Sequence, residues 1–224
     1  QNAELYYRSG LDQEEVVIAL FPDCVNPKWR EVVFTKRTNE KIAIWEGEKY
    51  TKEEVRKVSG IQSVYWLEDM DRVLTEMLIL SKVIYLNGNE NTRFRSAVPS
   101  KDIRFLEDIK RTFPFHRIER SQPIMKQLRM IKSDIEIGAI QKAVDLTEKA
   151  FRRVMKFTKP GVMEYEIEAE MTHEFIRNGA TGHAYEPIIA SGANACVLHY
   201  VENNRPCKDG DLLLMDFGAE YANY

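Results

Sequence analysis

Cysteine is scarce in this 224-residue sequence: Cys24, Cys196 and Cys207 are odd in number and show no C-x-x-C spacing. That excludes a disulfide frame or a zinc knuckle, and the three read as reduced thiols of a cytoplasmic protein. No apolar run approaches the roughly 18–20 residues of a membrane span, and no signal peptide is visible. Neither a G-x-G-x-x-G turn nor a P-loop occurs, so nucleotide binding has no support. A net charge of −3 gives no reason to expect nucleic acid or an anionic membrane as partner. His173-Glu174-Phe175-Ile176-Arg177 fails as a zinc signature, because Arg177 stands where H-E-x-x-H needs its second histidine. Ser191 lacks the G-x-S-x-G elbow of serine hydrolases. Repeats and low-complexity tracts are absent too.

What is present is an ordinary soluble composition, 44% hydrophobic and 30% charged, long enough for two domains. The first half alternates strand and helix signals. Val16–Phe21, Glu31–Thr35 and Lys41–Trp45 read as strands rich in β-branched and aromatic residues. Thr51-Lys52-Glu53-Glu54 is a capping box opening a helix that Gly60 would end. A strand at Ser63–Trp66, a helix at Asp69–Leu80, a strand at Val83–Leu86, a polar loop at Asn87–Asn91, a helix at Asp102–Thr112 and a strand at His116–Glu119 follow. That order predicts an α/β domain with a mixed sheet over 1–122, with a junction near Arg120–Pro123.

Over 123–224 the pattern changes to α+β. Ser133-Asp134-Ile135-Glu136 is a second capping box, starting a long helix. Ile140, Val144, Thr147, Phe151 and Val154 recur at three and four, which predicts one buried face. A second helix, about Glu164 to Asn178, buries Ile167, Met171 and Phe175, is capped by Gly179 and lacks a preferred N-cap residue. Its acidic residues Glu164, Glu166, Glu168, Glu170 and Glu174 are most simply a solvated surface. A meander of short strands follows, Pro187–Ala190, then Ala195–Tyr200, then the run Leu212–Gly218.

That last run sets Asp216 inside an apolar strand, on the same face as Leu212 and Leu214. An isolated buried charge costs several kcal/mol, so the carboxylate needs backbone N–H donors, a distant arginine or a metal ion. His199, after apolar Cys196-Val197-Leu198, is either a hydrogen-bonded core residue or a functional imidazole. Cys196 and His199, three apart in a strand, point to opposite faces and make a poor thiol–imidazole pair. His116 reads as a strand residue and His183 receives no role.

The segments I-I-A-S-G-A-N-A-C-V-L-H-Y-V-E-N at 188–203 and D-G-D-L-L-L-M-D-F-G-A-E-Y at 209–221 resemble the creatinase/aminopeptidase family of "pita-bread" metallopeptidases, and within it the Xaa-Pro aminopeptidases. R-M-I-K-S-D-I-E-I at 129–137 is similar to the entry into that family's catalytic domain. Y-Y-R-S-G-L-D-Q-E-E-V-V-I-A-L at 6–20 and I-W-E-G at 44–47 are more weakly similar to its amino-terminal domain. The resemblance implies an amino-terminal α/β domain followed by the first half of a pita-bread catalytic domain.

It further implies a dinuclear site, most often of two Mn²⁺ ions, held by two Asp, one His and two Glu. Asp216 matches the first of these ligands, and the other four have no counterpart before Tyr224. The chain is therefore expected to be a fragment that holds metal poorly and shows no peptidase activity alone. His199 matches the histidine that assists the scissile amide, and Tyr185 an aromatic position near the substrate pocket; a buried tyrosine with a bonded hydroxyl is the other reading. The implied activity is release of the first residue from peptides with proline second, by a cytoplasmic homo-oligomer, a dimer or tetramer. A prolidase, a creatinase-like hydrolase and a non-catalytic peptide-binding pita-bread protein are the alternatives.

Overall fold

The structure, a computed structural model, describes residues 3–88 and 97–224. Part of the expected loop Asn87–Asn91 lies outside them. The chain forms two compact units, 1–130 and 131–224.

In the first unit, α1 (Ala3–Ser9) precedes β1 (Val17–Leu20) and β2 (Glu31–Thr35), which pair antiparallel, and β3 (Ser63–Trp66), which lies parallel to β2. The expected mixed sheet is thus three-stranded, with β2 in the middle. Because β2 is central, both its faces are covered: Val33 packs with Leu11, Val55 and Val64, while Val32 and Phe34 pack with Val73 and Met77. Each such fully buried side chain contributes about 1.5–3 kcal/mol. The Thr51 box forms as expected, opening α3 (Lys52–Ser59), and Gly60 ends it at φ +76°. After α4 (Met70–Leu80), β4 (Val83–Leu86) and β5 (Arg117–Arg120) form a separate parallel pair around α5 (Lys101–Thr112).

Two features differ from the sequence reading. Lys41–Trp45 lies in a helix, α2 (Glu40–Glu46), because the Asn39 side chain accepts the Ile42 N–H at 2.9 Å and Gly47, at φ +77°, closes the far end. The first unit also runs past the Arg120–Pro123 junction. Residues there enter α6 (Gln122–Met130), whose Met125 is fully buried and receives the Arg8 guanidinium on its sulfur, while the Tyr7 hydroxyl donates to Leu128 O.

The second unit opens on the Ser133 box and α7 (Asp134–Phe157), which packs along α8 (Glu164–Arg177). Against these lie two antiparallel pairs, β6 (Gly182–His183) with β9 (Ala219–Glu220), and β7 (Ile188–Ser191) with β8 (Leu213–Asp216). The buried stripe of α7 is Ala143, Leu146, Ala150 and Val154. Of the stripe read from the sequence only Val154 is buried; Ile140, Val144 and Phe151 line an open groove of about 580 Å³ with Met215, Phe217 and Tyr224. Ala150, Leu146 and Val154 pack into the core shared with α8, which leaves the bulkier residues of α7 on its other face. Ile167, Met171 and Phe175 of α8 are fully buried, as expected, with Leu213 and Met215 of β8 packed on that core.

Candidate functional site

The alternation expected in β8 is present, but its consequence is reversed. Leu213, Met215 and Phe217 face the helices, and Phe217 lies between the rings of Phe151 and Phe175 at 6.4 Å from each. Leu212, Leu214 and Asp216 face the other way, where Leu212 is 74% exposed and Asp216 is exposed as well. Asp216 is therefore not a carboxylate sunk in an apolar interior, and the need for a neutralising partner loses its basis.

What the structure gives Asp216 instead is Tyr185. The phenol donates to Oδ1 at 2.6 Å, and this hydrogen bond, with burial and the carboxylate charge behind it, pushes the Tyr185 pKa up to about 12. Tyr185 is about half exposed, so the buried-tyrosine reading fails while the bonded hydroxyl is real. The sequence carried no signal for this pair, since it joins positions 31 apart, one in the bend between β6 and β7 and the other at the end of β8.

His199 stands apart from the expected strand. Residues Gly192–Cys196 form a 3-10 helix and the chain then turns, leaving His199 exposed with φ +60°, in the left-handed region that a non-glycine residue rarely adopts. Apolar alternation at 195–200 imitated a strand that turn chemistry at Gly192 and Asn194 does not allow. The opposite-face argument against Cys196 with His199 falls with it, yet the pair gains no orienting amide, because the Asn194 side chain is held by Glu164.

Glu164 is the residue that sequence reasoning missed. It is fully buried at the first turn of α8, and its carboxylate accepts four hydrogen bonds. Ser191 N (2.8 Å) and Asn194 Nδ2 (3.2 Å) reach Oε1; the Tyr200 hydroxyl (2.7 Å) and Arg205 N (2.9 Å) reach Oε2. Burial pushes its pKa up, but the backbone donors Ser191 and Arg205, then Tyr200 and Asn194, outweigh it and hold the carboxyl below its ordinary range. One turn on, Glu168 accepts the Asn203 side-chain amide at 2.9 Å. Glu170 and Glu174 pair with Arg153 of α7. The acidic face of α8 is thus largely committed to partners, contrary to the solvated surface expected.

Of the other histidines, His183 lies edge-on to Phe175 at 4.9 Å between centroids and shares a hydrogen bond with Thr172 Oγ1. Burial lowers its pKa, with the Glu168 charge opposing, and its Nδ1 finds no partner among the described residues. It is a half-buried residue packed on the core at Phe175. His116 bonds to Leu78 O at 2.8 Å, and His173 is exposed.

Known proteins supply the context for this arrangement. Residues 138–224 match the profile of metallopeptidase family M24, and residues 1–85 that of the aminopeptidase P amino-terminal domain. Residues 138–224 belong to the M24 metallopeptidase family. The Xaa-Pro aminopeptidase of Haemophilus influenzae is 30% identical over 224 residues, covering 100% of this chain and 49% of that protein. Aminopeptidase P from E. coli, in a low-pH form, superposes with a TM-score of 0.88 at 27% identity, over 100% of this chain and 51% of that one. A zinc-substituted form of the E. coli enzyme in complex with product gives 0.86 at 27%, again over 100% and 51%. The chain spans about half the length of the curated relatives it matches. It carries an amino-terminal domain with a mixed sheet and part of a pita-bread domain, the fold class expected from the sequence.

The M24 family and the zinc-substituted relative bring divalent metal ions into question. Among the described residues, no group of three or more His, Cys, Asp or Glu side chains is placed to hold one. The donor set of this chain offers the exposed Asp216 carboxylate, steadied by Tyr185, and fits a metal only as one ligand of several. Among the described residues no helix is long and apolar enough to cross a membrane.

Proposed function

We propose that this chain contributes half of a metal-dependent aminopeptidase that releases the first residue from peptides with proline in second place. The observation that carries the reading is the Tyr185–Asp216 hydrogen bond at the open end of β8, within a segment of the M24 family. An exposed carboxylate whose orientation is fixed by a phenol is ready to act as a ligand, because it pays no further ordering cost when a cation arrives. Bound divalent cations, Mn²⁺ by the preference of oxygen-rich sites for hard metals, would supply a hydroxide usable near neutrality.

The side chains do the rest. Asp216 would anchor a cation; Tyr185 keeps that carboxylate from rotating and lines the approach of the peptide. His199, exposed on its turn, hydrogen-bonds the scissile amide and hands a proton to the leaving nitrogen. A peptide bond before proline has no N–H, so recognition rests on shape and on the carbonyl rather than on an amide donor. Three free cysteines support a reducing, cytoplasmic setting, and the substrate channel is completed in a homo-oligomer.

The test is an Xaa-Pro peptide assay on the whole protein with added Mn²⁺. Asp216→Ala is expected to abolish release and metal uptake together; His199→Ala is expected to lower kcat at least about 100-fold while metal content stays. The 224-residue chain alone is expected to be inactive. Peptidase activity that survives Asp216→Ala would overturn the reading.

A further inference from the structure

The turn carrying His199 is tied down by two carboxylates from one helix. Glu164 and Glu168 are four residues apart, so they lie on the same face of α8, one turn apart. Glu164 gathers Ser191, Asn194, Tyr200 and Arg205, which bracket the turn from its first residue to its last. Glu168 adds Asn203, itself 2% exposed and at φ +42°, whose Oδ1 accepts Ile189 N at 2.9 Å and whose amide also donates to Pro187 O at 3.0 Å. Between these anchors sits His199 at φ +60°. A non-glycine residue keeps such a conformation only where its surroundings over-determine it. Tyr200, the next residue, is buried and its hydroxyl ends on Glu164.

We infer that Glu164 and Glu168 are positioning residues: a two-point clasp on α8 that fixes the backbone of the 191–205 turn and so presents His199. Both carboxylates are engaged by donors of this chain. Their significance for peptide-bond chemistry rests on the role proposed for His199, but the clasp itself is a property of this chain and can be read without any substrate.

The experiment is NMR on the uniformly ¹⁵N-labelled 224-residue chain, comparing Glu164→Gln, Glu168→Gln and Tyr200→Phe with Glu170→Gln. Glu170 has the same charge on the same helix, but its partner is Arg153. A glutamine at 164 offers one oxygen where four donors converge, so the Ser191 and Arg205 amides are expected to exchange about tenfold faster or more. The His199 ring and amide resonances should move in all three clasp variants and stay in Glu170→Gln, while those of His116 in the first unit stay throughout. Should Glu164→Gln fail to fold, Tyr200→Phe, which removes the hydroxyl that donates to Glu164 and accepts Asn204 N, and Glu168→Gln, which takes the charge out of the Asn203 bond, carry the test. Unmoved His199 resonances in both of those folded variants would overturn the clasp. Loss of the clasp's signature and loss of peptidase activity in His199→Ala are separate readouts, so either idea can fail alone.

Discussion

Glu164 at the start of α8 and Asp216 at the end of β8 are carboxylates with opposite fates. Glu164 is fully buried with four hydrogen-bond donors around it; Asp216 is exposed with one phenol beside it. A carboxylate with all its lone pairs filled by fixed donors is structural: it cannot leave, and it has nothing left to offer a ligand. A carboxylate held by one neighbour and otherwise open is available for chemistry. The number of donors each has already recruited, more than burial itself, separates scaffold from site in this unit.

The largest effect that would sharpen this contrast is on stability. Glu164→Ala leaves four donors facing an apolar space, and orphaned buried donors cost more than the lost bonds return. Unit 131–224 is expected to lose about 3–5 kcal/mol, measured as amide-exchange protection in α7 and α8 against denaturant. A loss below about 1 kcal/mol would mean water replaces the carboxylate freely, and the contrast with Asp216 would dissolve.

Part of this was legible beforehand. Both capping boxes, the strands of the mixed sheet and the apolar stripe of α8 follow from local pattern, because caps and side-chain periodicity act within one element. Glu164 also left a trace: it falls three, seven and eleven residues before Ile167, Met171 and Phe175, on the very stripe that is buried. A charge on a buried stripe calls for donors, and these come from residues 191–205, which no local pattern links to α8. The errors share a cause. Lys41–Trp45 and Ala195–Tyr200 are short apolar runs whose period fits either element, and the caps at Asn39 and the turn at Gly192 decided them. Alternation placed Asp216 on the correct face with Leu212 and Leu214, but which face of a strand is covered depends on packing partners elsewhere in the chain.

A smaller effect concerns acid. Glu164 titrates in the fold below its ordinary 4.5, so its stabilisation is present above that value and is lost as pH falls through the folded pKa. His183 titrates below its ordinary 6.5, so the fold keeps it neutral and loses stability as pH falls beneath 6.5 and protonation becomes possible. Unit 131–224 should weaken in two stages on acidification. Glu164→Gln is expected to flatten the lower stage and leave the upper one unchanged; an unaltered lower stage would assign it to other carboxylates and break the link between buried donors and acid sensitivity.

The smallest expected change is at the open end of β8. Asp216→Asn keeps the shape and removes the charge from an exposed position with one partner, so stability should shift by no more than about 0.5 kcal/mol. The phenol of Tyr185 should respond instead. Its pKa of about 12 rests first on the hydrogen bond to Asp216, so in Asp216→Asn it should fall back toward 10. The chain has ten tyrosines, so the alkaline absorbance titration needs Tyr185→Phe as its reference. The component missing from that variant should move down in Asp216→Asn. If it stays near 12, burial rather than the carboxylate sets the phenol. Asp216 would then lack the restraint that makes it a prepared ligand, and only its exposure would distinguish it from Glu164.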